Sequence, residues 1–217
     1  MLETVVFLGP SLDHAAAGQS LDVEYREPIR RGDLPQVVAR GVRRIGIIDG
    51  EFGQSLSVSV AEIRRALAAG VEIWGSSSMG ALRAAECECL GMHGVGWIFE
   101  AYRDGTIEAD DEVALLFEPR SRAPVTVPLV NLRWGLALAH EAGLLSNEGR
   151  DALLAIARAL PFEDRCWEAL GERAAADPDL VPEAEALLEF VTAHPHRVDR
   201  KRLDALALLH SLRDAQS

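Results

Sequence analysis

Residues 75–86 read GSSSMGALRAAE and join an apolar run, VEIW (71–74), to a stretch rich in helix-forming residues. An apolar run that ends in small polar residues and continues as a helix is typical of a strand-to-helix turn. The unpaired N–H groups in the first turn of such a helix carry about half a positive charge. Its three serines therefore have three interpretations: a helix cap, part of an anion site, or a nucleophile.

The first half of the chain repeats this alternation of strand and helix patterns. Short apolar runs followed by turn residues predict strands at 4–9, 43–50 and 71–77, and alternating apolar and polar residues predict one at 21–25. Apolar residues at helical spacing predict helices at 33–41, with Asp33 as its cap, at 58–70, with a Ser59–Glu62 capping box, and at 79–91. Because strands joined by helices form right-handed crossovers, the sequence predicts the α/β class, with a mostly parallel sheet and flanking helices.

The strand patterns stop at about residue 130. Amphipathic helices are predicted beyond it, at 132–143, 146–160, 163–175, 182–194 and 199–213. We therefore expect two domains, an α/β core domain at 1–130 and an all-helical C-terminal lobe at 131–217.

The composition excludes several classes of protein. A formal net charge of −12 and a pI near 4.9 argue against binding to nucleic acid or to an anionic membrane surface. There is no basic leader and no run of about 18 apolar residues, so the cytoplasm is the expected location. The three cysteines, Cys87, Cys89 and Cys166, have no ligand spacing, and we expect no metal and no cofactor.

Three polar motifs follow three of the predicted strands. They are Gly9-Pro10-Ser11, Asp49-Gly50-Glu51 and Ser76-Ser77-Ser78. In open parallel sheets, ligands bind beyond the carboxyl ends of the strands. The three motifs therefore predict one shared cleft.

The serine motif supports both a structural and a chemical interpretation. Ser77 or Ser78 can cap the helix that begins near Met79, which requires no further function. Alternatively, the Met79 and Gly80 amides can receive an oxyanion, with Gly80 allowing a substrate to approach the backbone closely. The spacing alone leaves both interpretations open.

A serine nucleophile requires a base, and the sequence offers few. His93, in the glycine-rich segment GMHGVG, is one candidate, although a lone histidine in a turn is more often a surface residue. Asp49 is placed to orient a base or to hold Arg83, but Arg83 also has the spacing for an intrahelical pair with Glu86. The acidic cluster at 110–112 is typical of a solvated cap.

Taken together, these segments resemble the TfuA-like family. The resemblance runs in order through VVFLGPSL (5–12), EPIRRGD (27–33), IGIIDGEF (45–52), EIRRAL (62–67), GSSSMGALRAAE (75–86), GMHGVGWIFEAYRDG (91–105) and DDEVAL (110–115). It covers about half of the chain, and the segments after residue 130 match no family that we can name.

The resemblance implies a function. TfuA-like proteins partner YcaO enzymes, which convert a peptide backbone amide to a thioamide. The TfuA-like partner is thought to hydrolyse the C-terminal thiocarboxylate of a ubiquitin-like sulfur-carrier protein and to help the YcaO enzyme bind its peptide. A non-catalytic scaffold that docks the YcaO enzyme and its peptide is the alternative.

The resemblance also implies a serine–lysine pair. The serine carries over to Ser78, with Ser77 as the close alternative. The lysine does not, because Val60 and Ala61 occupy the positions where the family pattern has His-Lys. The only lysine in the chain is Lys201, so the base is expected to be His93 or Lys201, or else the chemistry has been lost.

Overall fold

The computed structural model describes residues 3–53, 55–118, 120 and 123–215. Its sheet has five parallel strands in the order β2-β1-β3-β4-β5. These are β1 Thr4–Phe7, β2 Glu24–Arg26, β3 Arg44–Ile47, β4 Glu72–Ser76 and β5 His93–Val95. This order is that of a doubly wound sheet, in which the chain changes direction between β1 and β3.

The central strands follow from their residues. All four residues of β1 and all four of β3 are buried, as expected for strands covered on both faces of a parallel sheet. Val5 of β1 pairs with Ile45 of β3, which in turn pairs with Ile73 of β4. The apolar runs of the sequence are therefore the middle of the sheet.

The helices are numbered in chain order. Helices α1 to α5 span His14–Ser20, Asp33–Ala39, Val60–Ala68, Met79–Cys87 and Trp97–Arg103. Helices α6 to α11 span Leu129–Glu141, Asn147–Ala159, Trp167–Ala174, Val181–Ala193, Pro195–Val198 and Arg200–Asp214. The predicted α/β class with C-terminal helices is confirmed.

The chain divides into two compact units. One comprises the chain up to Glu108 together with the segment from Lys201 onward, and the other comprises Ala109–Arg200. The predicted domain boundary between residues 130 and 131 remains a prediction. The last helix, α11, packs with the sheet-containing unit from Lys201 onward.

Within the sheet-containing unit, α1 and α11 share one apolar core with the sheet. The core joins Val6 and Leu8 of the first strand segment to Leu208, Leu209 and Leu212 of α11. Helix α2 contacts α3, α3 contacts α4, and α4 contacts α5. Near the end of α11, Arg44 of β3 donates a hydrogen bond to the Ala215 carbonyl, 3.1 Å away, and pairs with Glu72.

The Ala109–Arg200 unit has a core of its own. It is built from apolar side chains on α6 to α10, including Leu132, Leu136, Leu153, Leu170 and Leu187. The alternation of apolar and polar positions that predicted these helices is the pattern that fills this core.

Several element predictions need correction. The GMHGVG segment is not only a glycine-rich turn, because residues 93–95 form the edge strand β5. Helices α1 and α5 were not predicted, and β2 lies three residues later than expected at its start. Asp33 does not cap α2: the cap residue is Gly32, and the Asp33 carboxylate accepts a hydrogen bond from the Arg30 amide. The Ser59–Glu62 capping box of α3 is confirmed.

Gly80 brings α4 against the sheet. A Cβ atom at Gly80 would overlap the carbonyl oxygen of Ile47, and one at Gly75 would overlap the Gly80 carbonyl oxygen. The absent side chain at Gly80 therefore allows close contact between helix and strand. This contact fixes the start of α4. That Gly80 also allows a substrate to approach the backbone remains a prediction.

We predict that Gly80→Ala destabilises the fold by about 3 kcal/mol, because backbone atoms have to move to admit the methyl group. Gly18→Ala is the matched control, since Gly18 lies exposed in α1 with no atom within 4 Å of an added Cβ. That change is expected to stabilise the helix by about 0.5–1 kcal/mol. Urea unfolding measures both, and equal unfolding free energies for the two variants would contradict the packing role of Gly80.

Candidate active site

The loops that follow β1 and β3 meet at the Asp49 carboxylate. Oδ2 accepts hydrogen bonds from the backbone amides of Gly9 (2.9 Å) and Ser11 (3.1 Å). Oδ1 accepts one from the Ser11 hydroxyl, at 2.6 Å. Asp49 is 2% exposed, so its negative charge is held by protein groups at the point where the sheet changes direction.

Lys201 is brought to the same carboxylate. Its Nζ lies 3.9 Å from Asp49 Oδ1, and its side chain is 2% exposed. Lysine is rarely buried to this degree without a partner of opposite charge. The chain's only lysine, 152 positions after Asp49, therefore lies at the edge where the predicted motifs converge.

Two of the three serines attach α11 to the sheet. The Ser76 hydroxyl donates to the Asp204 carbonyl oxygen at 2.8 Å, and the Ser77 hydroxyl donates to the Lys201 carbonyl oxygen at 2.9 Å. Both serines are fully buried. Neither hydroxyl caps α4, so the capping interpretation is wrong for Ser77.

Ser77 has an unusual backbone. Its φ is +66°, the only positive φ among the described residues other than glycine. A side chain in this left-handed region costs about 1–2 kcal/mol, and such residues cluster at functional sites. The turn directs consecutive serines to different partners.

Ser78 is the N-cap residue of α4, but its side chain makes no capping bond. Among the residues that the structure describes, its hydroxyl has no hydrogen-bond partner, and the residue is 3% exposed. Its amide donates to the Ser76 and Ile48 carbonyl oxygens, at 2.9 and 3.3 Å. Ser78 is thus held beside the residue that precedes Asp49, with its hydroxyl uncommitted.

Of the two backbone amides proposed to receive an oxyanion at the start of α4, one is already hydrogen-bonded and the other is not. The Gly80 amide donates to the Ile48 carbonyl oxygen at 3.3 Å, so it is already engaged and the predicted role for it is not supported. Within the described part of the chain, the Met79 amide has no acceptor. Met79 itself is buried, and a Cβ at Gly50 would lie 2.7 Å from its Cγ.

Asp204 is a site residue that the sequence reasoning missed. Its carboxylate accepts hydrogen bonds from the amides of Trp97 (3.1 Å) and Ile98 (2.7 Å) at the start of α5. A Cβ at Gly96, whose φ is +95°, would contact the same carboxylate. Since Asp204 lies one turn after Lys201, this buried cap and the two serine bonds fix the first turns of α11.

The remaining predicted residues lie elsewhere. His93 is exposed at the amino end of β5, where its ring stacks on that of Trp74 at 4.5 Å. Arg83 donates to the Val58 carbonyl oxygen at 2.8 Å and pairs with Glu86 at 2.7 Å, so the intrahelical alternative is the one observed. Pro10 is half-buried in the loop after β1.

The acidic cluster is structural. Glu112 makes a bidentate ion pair with Arg133, and the Asp111 carboxylate lies 2.9 Å from the buried Arg165. Both carboxylates are therefore paired with arginines inside the Ala109–Arg200 unit. The expectation of a solvated cap is wrong for the buried Glu112, whereas Asp111 is 48% exposed.

Among the residues described, no group of three His, Cys, Asp or Glu side chains is arranged to hold a metal ion. No helix in that part of the chain has the length and apolar character needed to cross a membrane. Burial raises the pKa of the Cys87 thiol to about 11, so this cysteine stays protonated near neutral pH.

Comparison with known families identifies the chain's relatives. The family model for TfuA-like protein matches residues 49–166, which are 118 of the 217 residues. The chain belongs to the TfuA-like family. No curated protein matches it.

The match to the family model covers only part of the candidate site of this TfuA-like chain. It begins at Asp49 and includes the serine turn, and it continues past residue 115 into the helices. The segments at 5–12 and 27–33, on which the resemblance also rested, lie outside it. Lys201 lies outside it as well, so the lysine reaches the site from a part of the chain that the family model does not cover.

We predict that Asp204→Asn destabilises the TfuA-like chain by about 2–3 kcal/mol, because one of two backbone amides loses its charged acceptor and faces an NH2 group. Asp214→Asn is the matched control on the same helix, since Asp214 is 76% exposed, and should change stability by less than about 0.5 kcal/mol. Urea unfolding of both variants checks this. Equal stabilities would show that the buried cap does not hold α11.

Proposed function

We propose that this TfuA-like chain hydrolyses the C-terminal thiocarboxylate of a ubiquitin-like sulfur-carrier protein. It would supply sulfide in support of a YcaO enzyme that thioamidates a peptide. The observation that carries the proposal is the burial of Lys201, 3.9 Å from Asp49, beside the turn that presents Ser78. The family membership supports an accessory role, and the lysine supplies the base that positions 60 and 61 lack.

Ser78 is the nucleophile in this proposal. Its hydroxyl is uncommitted, whereas the Ser77 hydroxyl is bound to the Lys201 carbonyl oxygen. The Ser78 oxygen attacks the thiocarboxylate carbonyl carbon, and neutral Lys201 takes the hydroxyl proton. The uncommitted Met79 amide is the donor at the helix N-terminus for the resulting oxyanion.

The tetrahedral intermediate then loses sulfur. The C–S bond breaks, Lys201 returns its proton to the departing sulfur, and hydrosulfide (HS⁻) and a Ser78 ester remain. Water, deprotonated by Lys201, hydrolyses the ester, and the proton returns to the serine oxygen. The sum is thiocarboxylate plus water giving carboxylic acid plus hydrosulfide, so no oxidant or cofactor is consumed.

Lys201 must lose its proton before it acts as the base. Burial disfavours its charged form, whereas the adjacent Asp49 carboxylate favours that form. The same carboxylate also accepts hydrogen bonds from three donors in the loop after β1. Arginine would not serve here, because it remains protonated.

The second candidate is a non-catalytic scaffold that docks the YcaO enzyme and its peptide. It is favoured by exposed apolar side chains in the described part of the segment 116–125, where Phe117 and Pro124 form a bridge. Leu116, Phe117 and Val125 are 40%, 38% and 63% exposed. Such side chains on one short segment are typical of a contact surface.

We predict that the wild type releases sulfide from a thiocarboxylated carrier and that Ser78→Ala reduces this rate at least about a thousandfold. Lys201→Met combined with Asp49→Asn should reduce it similarly, since the pair removes the base without leaving a buried carboxylate unpartnered. Ser211→Ala, on the same helix as Lys201, is the matched control and should keep the wild-type rate.

The alternatives give different results in this assay. Turnover that survives in Ser78→Ala and disappears in Ser77→Ala would move the nucleophile to Ser77. A wild type that binds a YcaO enzyme but releases no sulfide would overturn the hydrolase and leave the scaffold. His93→Ala losing activity while the Lys201 variant keeps it would contradict the assignment of the base.

A further inference from the structure

A polar cleft of about 470 Å³ lies at the carboxyl end of β2. Its walls come from the end of β1, from β2 and from the segment that leads to α2, among them Tyr25, Arg26, Glu27, Pro28 and Arg30. β2 is an edge strand, with β1 as its neighbour. The cleft is not used by the serine, lysine and aspartate groups described above.

One glycine separates this cleft from the candidate active site. A Cβ at Gly9 would lie 2.6 Å from Cγ of Pro28, in the cleft wall, and 3.2 Å from Cβ of Asp49. Arg30, at the rim, donates to the Glu51 carboxylate at 2.7 Å, two residues after Asp49. The cleft and the site are therefore neighbours along the carboxyl edge of the sheet.

The charges of the cleft alternate in sign. Arg26 lies 3.4 Å from Glu24, and Asp33 accepts a hydrogen bond from the Arg30 amide. The hydrogen bond from Arg40 holds the pKa of Glu24 below its ordinary value, so this carboxylate is ionised at neutral pH. A small anion would meet these carboxylates as well as the arginines, whereas an extended peptide offers amides and side chains of both signs.

Strand direction gives the orientation of such a peptide. An extended segment that lies along an edge strand in the parallel sense has its own C-terminus at the carboxyl edge of the sheet. For β2, that edge is where Gly9 and Asp49 lie. A chain terminus is the part of the substrate that has to reach Ser78 in the proposed reaction.

We propose that this cleft holds the extended C-terminal tail of the protein substrate, with the end of the tail directed toward the carboxyl edge of the sheet where Gly9 and Asp49 lie. The proposal rests on the proposed function for what happens at the terminus, but it assigns a binding site that is separate from the reacting groups. Arg26 and Arg30 contact the tail and determine its affinity.

The test measures binding of a fluorescent peptide to the full-length chain. The peptide has the sequence of the sulfur carrier's C-terminal tail and ends in an ordinary carboxylate instead of a thiocarboxylate. We expect Arg30→Ala and the double variant Arg26→Ala with Arg30→Ala to weaken binding, the double variant by about tenfold. Arg30 is 61% exposed, so its replacement leaves the core intact. Arg64→Ala, exposed on α3, is the matched control and should bind as the wild type does.

Kinetics with the thiocarboxylated carrier separate this proposal from the hydrolase. Both cleft variants should raise KM and leave kcat unchanged. If the wild type binds the tail but does not hydrolyse the carrier, and the Arg26 and Arg30 variants bind the tail more weakly, the cleft proposal stands and the hydrolase proposal is overturned. Hydrolysis with an unchanged KM in the variants, or no tail binding by the wild type, would overturn the cleft.

Discussion

The Asp49 carboxylate is the interaction on which the carboxyl edge of the sheet depends. A buried carboxylate is costly unless protein groups replace the water it loses, and here two amides, one hydroxyl and one ammonium group do so. These partners come from the loop after β1 and from α11. The same contacts that stabilise the charge therefore draw three distant chain segments into one site.

The last helix completes this arrangement. Its apolar side chains cover the sheet, while the Lys201 carbonyl oxygen and the Asp204 carboxylate accept hydrogen bonds from Ser77, after β4, and Trp97, after β5. The apolar packing and the hydrogen bonds both constrain the rotation of α11 about its axis, and they favour the same orientation of the helix. The chain's one lysine is thus brought beside the serine turn by tertiary structure, although the two are far apart in sequence.

The sequence predicted what local patterns encode. The β1, β3 and β4 strands, the capping box at Ser59 and the convergence of Asp49 with the Gly9–Ser11 loop follow from apolar runs and turn residues. The position of Lys201 did not follow, because contacts between residues far apart in sequence are not encoded locally. The sequence did contain a signal for the burial of Lys201. One helical stripe carries two charged residues together with an alanine and three leucines: Lys201, Asp204, Ala205, Leu208, Leu209 and Leu212. This spacing implies that the two charged side chains are buried with the leucines. The edge strand β5 was missed because its glycines outweighed a short strand pattern.

The most direct measurement follows the single lysine by NMR in a chain labelled with 13Cε- and 15Nζ-lysine, which contributes one side-chain signal. If Lys201 is buried beside Asp49, the signal differs from that of the urea-unfolded chain and shifts in Asp49→Asn, but not in the control Glu51→Gln. A signal equal to that of the unfolded chain, unchanged by Asp49→Asn, would contradict the account.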